Sequence, residues 1–342
     1  MNYKILGSGG YGIVISPPLK THKSKKKNYV SKIIHKKKKN YNNEFKISKK
    51  LKNIKNVKNH FCLIEDIKII KQNEIPKNII ESRPGARFQK KNKEYISLLM
   101  PYCGTNILNK KYQLYLKNNN NFIIFVSHLL QSLKYLKNKK IVLGDIKIEN
   151  LLVKNNNPIL IDYGGSKIIN NIYKNIHELV ISQGYRSPDY YLFSEAIYDE
   201  DNDILKSKIT YKDINNTIKD LIHKDYISEL VYDMTVGMSE RYSIANKDNN
   251  DAKDEKESIN NLKKYYRLYK NKEYTMNTIK NLKNNIYKFD IYSLGRVFED
   301  LYKILNLNNS KILSLIKNMI EFNHEKRFDI DQCIDFLDKI KV

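Results

Sequence analysis

Residues 141–165, IVLGDIKIENLLVKNNNPILIDYGG, constrain this chain more than any other stretch. A short apolar run, Ile141 to Leu143, leads to Asp145, and Asn150 follows five positions later. A second run, Leu151 to Val153, meets a turn-prone Asn155-Asn156-Asn157-Pro158, and a third, Ile159 to Ile161, ends on Asp162. Apolar runs of this length bounded by Asn, Pro and Gly read as short strands joined by a tight turn. Two carboxylates and a carboxamide therefore sit at strand ends. One carboxylate can orient a hydroxyl, while an amide and a second carboxylate supply hard oxygen ligands for a divalent cation against phosphates. An Asp-x4-Asn pair alone is common, and Asp-Tyr-Gly alone is an ordinary turn. Their succession across a hairpin, and what surrounds it, gives them meaning.

Residues 3–15 read as a strand, a turn carrying Gly7, Gly9 and Gly12, and a second strand from Ile13. Glycines so spaced let backbone N–H groups approach phosphate oxygens. A strand, not a helix, follows them, which argues against a dinucleotide fingerprint. Together the two stretches resemble eukaryotic-type protein kinases of the serine/threonine type. LGDIKIEN stands for the usual H-R-D-L-K-x-x-N, DYG for D-F-G, and G-x-G-x-x-G-x-V is kept through Val14. The resemblance implies an α+β, two-lobed fold: a small antiparallel-sheet lobe with one helix over 1–100, and a larger, mainly helical lobe over 101–342.

It also implies roles. Val14 would cover the adenine of ATP and Tyr11 would cap its phosphates. Lys32, flanked by Val30 and Ile33 on a strand, would hold the α/β-phosphates with Glu44 on the amphipathic stretch 42–54. The family places an apolar residue four positions after this Glu, where this chain has Ser48 beside Ile47, which leaves the helix register open by one turn. Strands are expected at 61–70 and 95–100, then a hinge, with Met100 behind the adenine and Tyr102 and Cys103 beside it. Asp145 would be the catalytic base, Lys147 would offset charge on the γ-phosphate, and Asn150 and Asp162 would hold Mg²⁺, with Mn²⁺ as an alternative.

The likeness continues along the chain. Phe122 to Leu136 is the plainest amphipathic helix. Ser182 to Asp189 resembles the substrate platform ending in A-P-E, with Ser182 bonding Asp145 and Lys147. Asp290 matches the helix Asp that accepts catalytic-loop N–H groups, and Arg327 would pair with Asp189. Two departures stand out. Gly144 replaces the Arg that in many relatives binds an activation-segment phosphate, and the only hydroxyls between Asp162 and Ser182 are Tyr163, Ser166 and Tyr173. Where the family has a short connection, this chain has the long stretch 195–285. It contains helical patterns near 213–230 and 259–284 around a charge-mixed NKDNNDAKDEKES that reads as a disordered linker.

Composition bounds the partners. At 342 residues the chain can build its core without metal or disulfides. Sixty-two Lys+Arg against 37 Asp+Glu give +25, compatible with acidic proteins or nucleic acid. Abundant Lys, Asn, Ile and Tyr equally fit an A/T-rich genome, such as those of large DNA viruses, so a nucleic-acid partner stays open. Cys62, Cys103 and Cys333 show no C-x-x-C spacing, so neither a zinc site nor a disulfide framework is expected, and a reducing, intracellular and cytoplasmic setting follows. The sequence has no run of about 18 apolar residues and no apolar leader after Met1, so no membrane span is expected.

The expected substrates are proteins with Ser or Thr acceptors. A small-molecule kinase of the choline or aminoglycoside type also keeps Gly-Asp and an Asn five residues on, and a pseudokinase scaffold is the third reading. Lys147, the 182–189 platform and the Asp189/Arg327 pair favour a protein kinase over the first. Retention of Lys32, Asp145, Asn150 and Asp162 favours catalysis over the second.

Overall fold

The computed structural model describes residues 3–9, 12–22, 28–36, 40–89, 93–199, 204–223, 227–228, 230–231 and 251–340. Tyr11, most of the basic loops at 20–27 and 36–39, and 246–250 of the expected linker lie outside them. The chain forms two compact units: residues 1–106 with 151–164, and residues 107–150 with 165–342.

The first unit is built on an antiparallel sheet of β1 (Lys4–Gly9), β2 (Gly12–Ser16), β3 (Tyr29–His35), β4 (Asp66–Lys71) and β5 (Glu94–Pro101), in the order β1-β2-β3-β5-β4. The β2 residues alternate, so Ile13 and Ile15 face inward and pack with Ile33, Ile70, Phe88 and Tyr95. A second cluster of Ile34, Ile64, Ile96 and Leu98 meets Phe45 of the helix Asn40–Leu51. Two further hairpin strands, β8 (Leu151–Lys154) and β9 (Asn157–Leu160), pair with the two-residue β6 (Thr105–Asn106) in this unit. Asn155 and Asn156 join them with φ of 52° and 63°. Asn tolerates that left-handed geometry, and it suits the twist of a two-residue hairpin.

The strand expected at 61–70 begins only at Asp66. Phe61 makes a lone bridge to Leu160, and the next backbone donors bond elsewhere, Cys62 N to Leu160 O and Ile64 N to Ser48 Oγ.

The expectation of no disulfide is also corrected: Cys62 and Cys103 are bonded, with S–S 2.15 Å and Cα atoms 5.9 Å apart. The reason is register. Asp66 lies opposite Leu99 in the β4/β5 pair, and four residues beyond each, in opposite directions, stand Cys62 and Cys103. Their sequence separation conceals that both lie just beyond the same end of the β4/β5 pair, and the case for a reducing setting goes with it. Cys333 is free and buried.

The second unit is mainly helical. Asn118 caps the helix Asn119–Asn138 by accepting from Asn120 N and Asn121 N. Phe122 and Phe125 on its apolar face reach Phe298 of the helix Tyr287–Ile304, with ring centroids 6.3 and 6.1 Å apart. Short strands β7 (Ile141–Val142) and β10 (Lys167–Ile168) flank the catalytic stretch.

The stretch 195–285 supplies helices Tyr211–Leu221, Asp251–Leu268 and Lys272–Lys280. Residues 251–258 are thus helical rather than linker. Ala, Lys and Glu there are good helix formers whose mixed charge disguised them. Among the described residues no helix is long and apolar enough to cross a membrane.

Candidate active site

In the first unit the chemistry starts at the β1/β2 turn. Gly7 and Gly9 have open space where a side chain would stand, whereas a Cβ on Gly12 would fall 2.3 Å from Ile33 O. Gly12 is therefore required by the close approach of β3. Val14 pairs with Lys32 across β2 and β3, and Met100 pairs with Val30 across β3 and β5. Tyr102 N donates to Asn28 O at 2.8 Å, and Cys103 is tied to Cys62.

Lys32 is the focus of this unit. Its ammonium donates to Glu44 Oε1 at 2.8 Å and Asp162 Oδ1 at 3.0 Å. Burial opposes its charge, yet the two carboxylates outweigh burial and hold its pKa above the ordinary lysine value. The carboxylates divide unequally. Burial lifts Glu44 to about 7 against the pull of Lys32, with the like charge of Asp162 adding to the rise. Asp162 is buried too, but Lys32 brings it below the usual carboxylate range. One cation among two carboxylates settles the charge on Asp162. The helix register left open by Ser48 is also closed by the Glu44–Lys32 contact. Ser48 is buried because its Oγ accepts from Ile64 N at 3.1 Å, a task an apolar residue could not perform.

Asp162 adopts φ 63°. Tyr163 behind it is buried, its hydroxyl donating to Leu160 O and accepting from Cys62 N at 3.1 Å. The Phe-to-Tyr departure at this motif thus adds an anchor for the turn, which sequence reasoning missed.

In the second unit Asp290 accepts from Leu143 N at 2.7 Å and Gly144 N at 2.8 Å, fixing the loop from below. Burial pushes the Asp290 carboxyl up to about 7, with both N–H groups pulling the other way. Gly144 has φ 81°, and a Cβ there would stand 2.8 Å from Val180 O. An Arg at this position would be strained and crowded, which accounts for the Leu-Gly-Asp variant of the motif.

Asp145 follows, 6% exposed. Its Oδ2 accepts from Lys147 Nζ at 2.8 Å and from Asn150 Nδ2 at 3.1 Å, and its Oδ1 from Ser182 Oγ. Lys147 Nζ also donates to Ser182 Oγ at 2.8 Å. Asn150 Nδ2 reaches Asp145 O as well, at 2.8 Å, so its nitrogen is committed to Asp145.

The chain further on locks the 182–189 segment. Arg327 meets both oxygens of Asp189, at 2.8 and 3.3 Å, with side-chain exposures of 0% and 1%. Its remaining donors go to the carbonyls of Glu321, Lys288 and Phe322. Burial works against the Asp189 charge, but Arg327 overcomes it and keeps the carboxyl below its ordinary value.

Among the described residues no three His, Cys, Asp or Glu side chains gather to hold a metal ion unaided. The Asn150 amide oxygen in the second unit and the Asp162 carboxylate in the first are each hard oxygens, the donor type that divalent cations take.

No curated protein matches the chain. The family model described as the protein kinase domain matches residues 1–336, nearly the full length. With the five-stranded antiparallel sheet, the helical second unit and the side-chain sets above, the chain belongs to the protein kinase family.

Proposed function

We propose that the chain is an ATP-dependent protein serine/threonine kinase that transfers the γ-phosphoryl group to Ser or Thr hydroxyls of proteins. The observation that carries this reading is the triangle of Asp145, Lys147 and Ser182. It ties a proton acceptor and a phosphate-facing cation to the start of a segment suited to hold an extended peptide. Asp145 orients the acceptor hydroxyl and takes its proton late in the transfer. Lys147 offsets charge on the γ-phosphate, and Lys32, steadied by Glu44, holds the α/β-phosphates. The Gly7–Gly12 turn covers the phosphates, while Val14, Met100, Tyr102 and Cys103 line the adenine. Asn150 and Asp162 would hold Mg²⁺, which when bound neutralises charge on the transferring group.

Independence from activation-segment phosphorylation goes with this reading. Gly144 has no cationic side chain for such a phosphate, and of the three hydroxyls in the segment Tyr163 and Ser166 are buried and only Tyr173 is half-buried.

The test is transfer from γ-labelled ATP with Mg²⁺ to matched peptides bearing Ser, Thr or Tyr, beside choline and an aminoglycoside. Label on Ser and Thr peptides alone is the expected result. Label on a small molecule, or on Tyr alone, would displace the proposal, and no label anywhere would favour a pseudokinase scaffold.

A further inference from the structure

The stretch 195–285 lies outside every motif that carries the reaction, yet its end is built into the segment that follows Ser182. The helix Asp251–Leu268 and the turn after it bury Tyr265, Tyr266 and Tyr269, at 4%, 0% and 0% exposure. Tyr266 donates its hydroxyl to Pro188 O at 3.1 Å. The hydroxyls of Tyr265 and Tyr269 lie 2.7 Å apart and 3.2 and 3.1 Å from His324 Nδ1, three residues before Arg327. A buried phenol needs a partner for its hydroxyl, so a ring at zero exposure with its oxygen on one carbonyl is a specified arrangement.

The segment 182–189 is held at several points, among them Gly184 O, which accepts from Arg296 Nε at 3.4 Å, and the Tyr185 hydroxyl, which donates to Asp300 at 3.5 Å. Ser182 is held by Asp145, the carbonyl of Tyr185 by Ser293 Oγ at 2.8 Å, the carbonyl of Pro188 by Tyr266, and Asp189 by Arg327. The anchor at Pro188 is the one that comes from the added stretch, and it grips the residue that opens the helix Pro188–Ile197. Without it the backbone between the Tyr185 and Asp189 anchors would sample more conformers, and an extended peptide lying along it would have to select the right one.

We infer that Tyr266 is a positioning residue for the protein substrate: through Pro188 it fixes the strip 182–187, making the added stretch a working part of the substrate platform. This rests on the protein kinase reading.

The experiment compares the wild-type chain with Tyr266→Phe, which keeps the ring and removes only the hydroxyl. Two readouts are taken: amide hydrogen exchange over 182–187, and kinetics with a Ser peptide. Loss of one buried hydrogen bond should speed exchange in the strip about five-fold and leave the helix Tyr287–Ile304 unchanged. The KM for peptide should rise about five-fold, with KM for ATP and kcat unchanged. Unchanged exchange overturns the inference whatever the activity. Faster exchange with an unchanged peptide KM overturns the substrate role, and so does a fall in kcat alone, the mark of lost folded protein. If the wild-type chain transfers no phosphate, the kinase reading fails by itself, and exchange still decides whether Tyr266 holds the strip.

Discussion

Two buried ion clusters, one in each unit, use the same chemistry to opposite ends. At Lys32 a single ammonium faces two carboxylates, with side-chain exposures of 11% for the lysine and 21% for Asp162. The set carries spare negative charge: burial drives Glu44 up to about 7 against the pull of Lys32, and the like charge of Asp162 adds to the rise. At Arg327 one guanidinium faces one carboxylate, neither more than 1% exposed, and every N–H has an acceptor. The second cluster is closed and balanced. The first is open and unbalanced, a state suited to changing partners when phosphates and a cation arrive. The two clusters differ in charge stoichiometry more than in burial.

The sharpest way to break that contrast is substitution at the open cluster. Lys32→Met or Asp162→Asn should lower phosphotransfer about a thousand-fold, as expected when a transition-state charge loses its partner. The thermal midpoint should move by only a few degrees. A near-normal rate in either variant, measured with labelled ATP at saturating peptide, would remove these residues from the reaction. The closed cluster should respond the other way round. Arg327→Ala leaves Asp189 buried and unpaired and should cost about 3–5 kcal/mol in denaturant unfolding. Activity per folded molecule should fall only through the few-fold rise in peptide KM expected when one anchor of the 182–189 segment is lost, far short of the open-cluster variants. The double variant Asp189→Leu with Arg327→Met should recover most of the loss, because it removes both charges together.

The same contrast explains what the sequence disclosed. Lys32, Asp145, Asn150 and Asp162 stood out because their motifs admit few residue types, and the structure pairs Lys32 with Glu44 and Asp162, and Asp145 with Lys147 and Asn150. Asp290 and Arg327 stood out because each has a backbone or carboxylate task. Glu44 stood out as the only acid on its helix. Features that depend on three-dimensional register were not legible. Cys62 and Cys103 meet only once the β4/β5 pairing is known, although the Asp66–Leu99 alignment would have disclosed them. The hydroxyl of Tyr163 looked like a conservative change until its two backbone partners appeared. Tyr265, Tyr266 and Tyr269 lay in a stretch with no motif to align them, and tyrosine is too common in this chain to stand out by composition. Residues 251–258 were misread because alternating charge is shared by solvated helices and by linkers, and only the helix-forming preference of Ala, Glu and Lys separates the two.

Acid should sharpen the comparison with the smallest effect, since the titratable neighbours of the two clusters shift in opposite senses. Burial depresses His324, beside Arg327, from 6.5 to about 4, with Asp189 pulling it back upward. The unfolded chain then binds more protons between these values, so stability held at pH 7 is lost as pH falls through them, by about 3 kcal/mol at pH 4. Burial raises Glu44 from 4.5 to about 7, so there the folded chain binds more protons, and stability is gained as pH falls from 8 to 4.5. Wild-type unfolding alone would blur the two. Subtracting the denaturant-unfolding free energies of His324→Gln and Glu44→Gln from those of the wild type at each pH isolates each group, and the two difference curves should slope in opposite directions. Parallel curves would mean that burial does not disfavour the charged form at one of the two sites, and the reading of Glu44 as the carboxylate left short of a cation would fail with it.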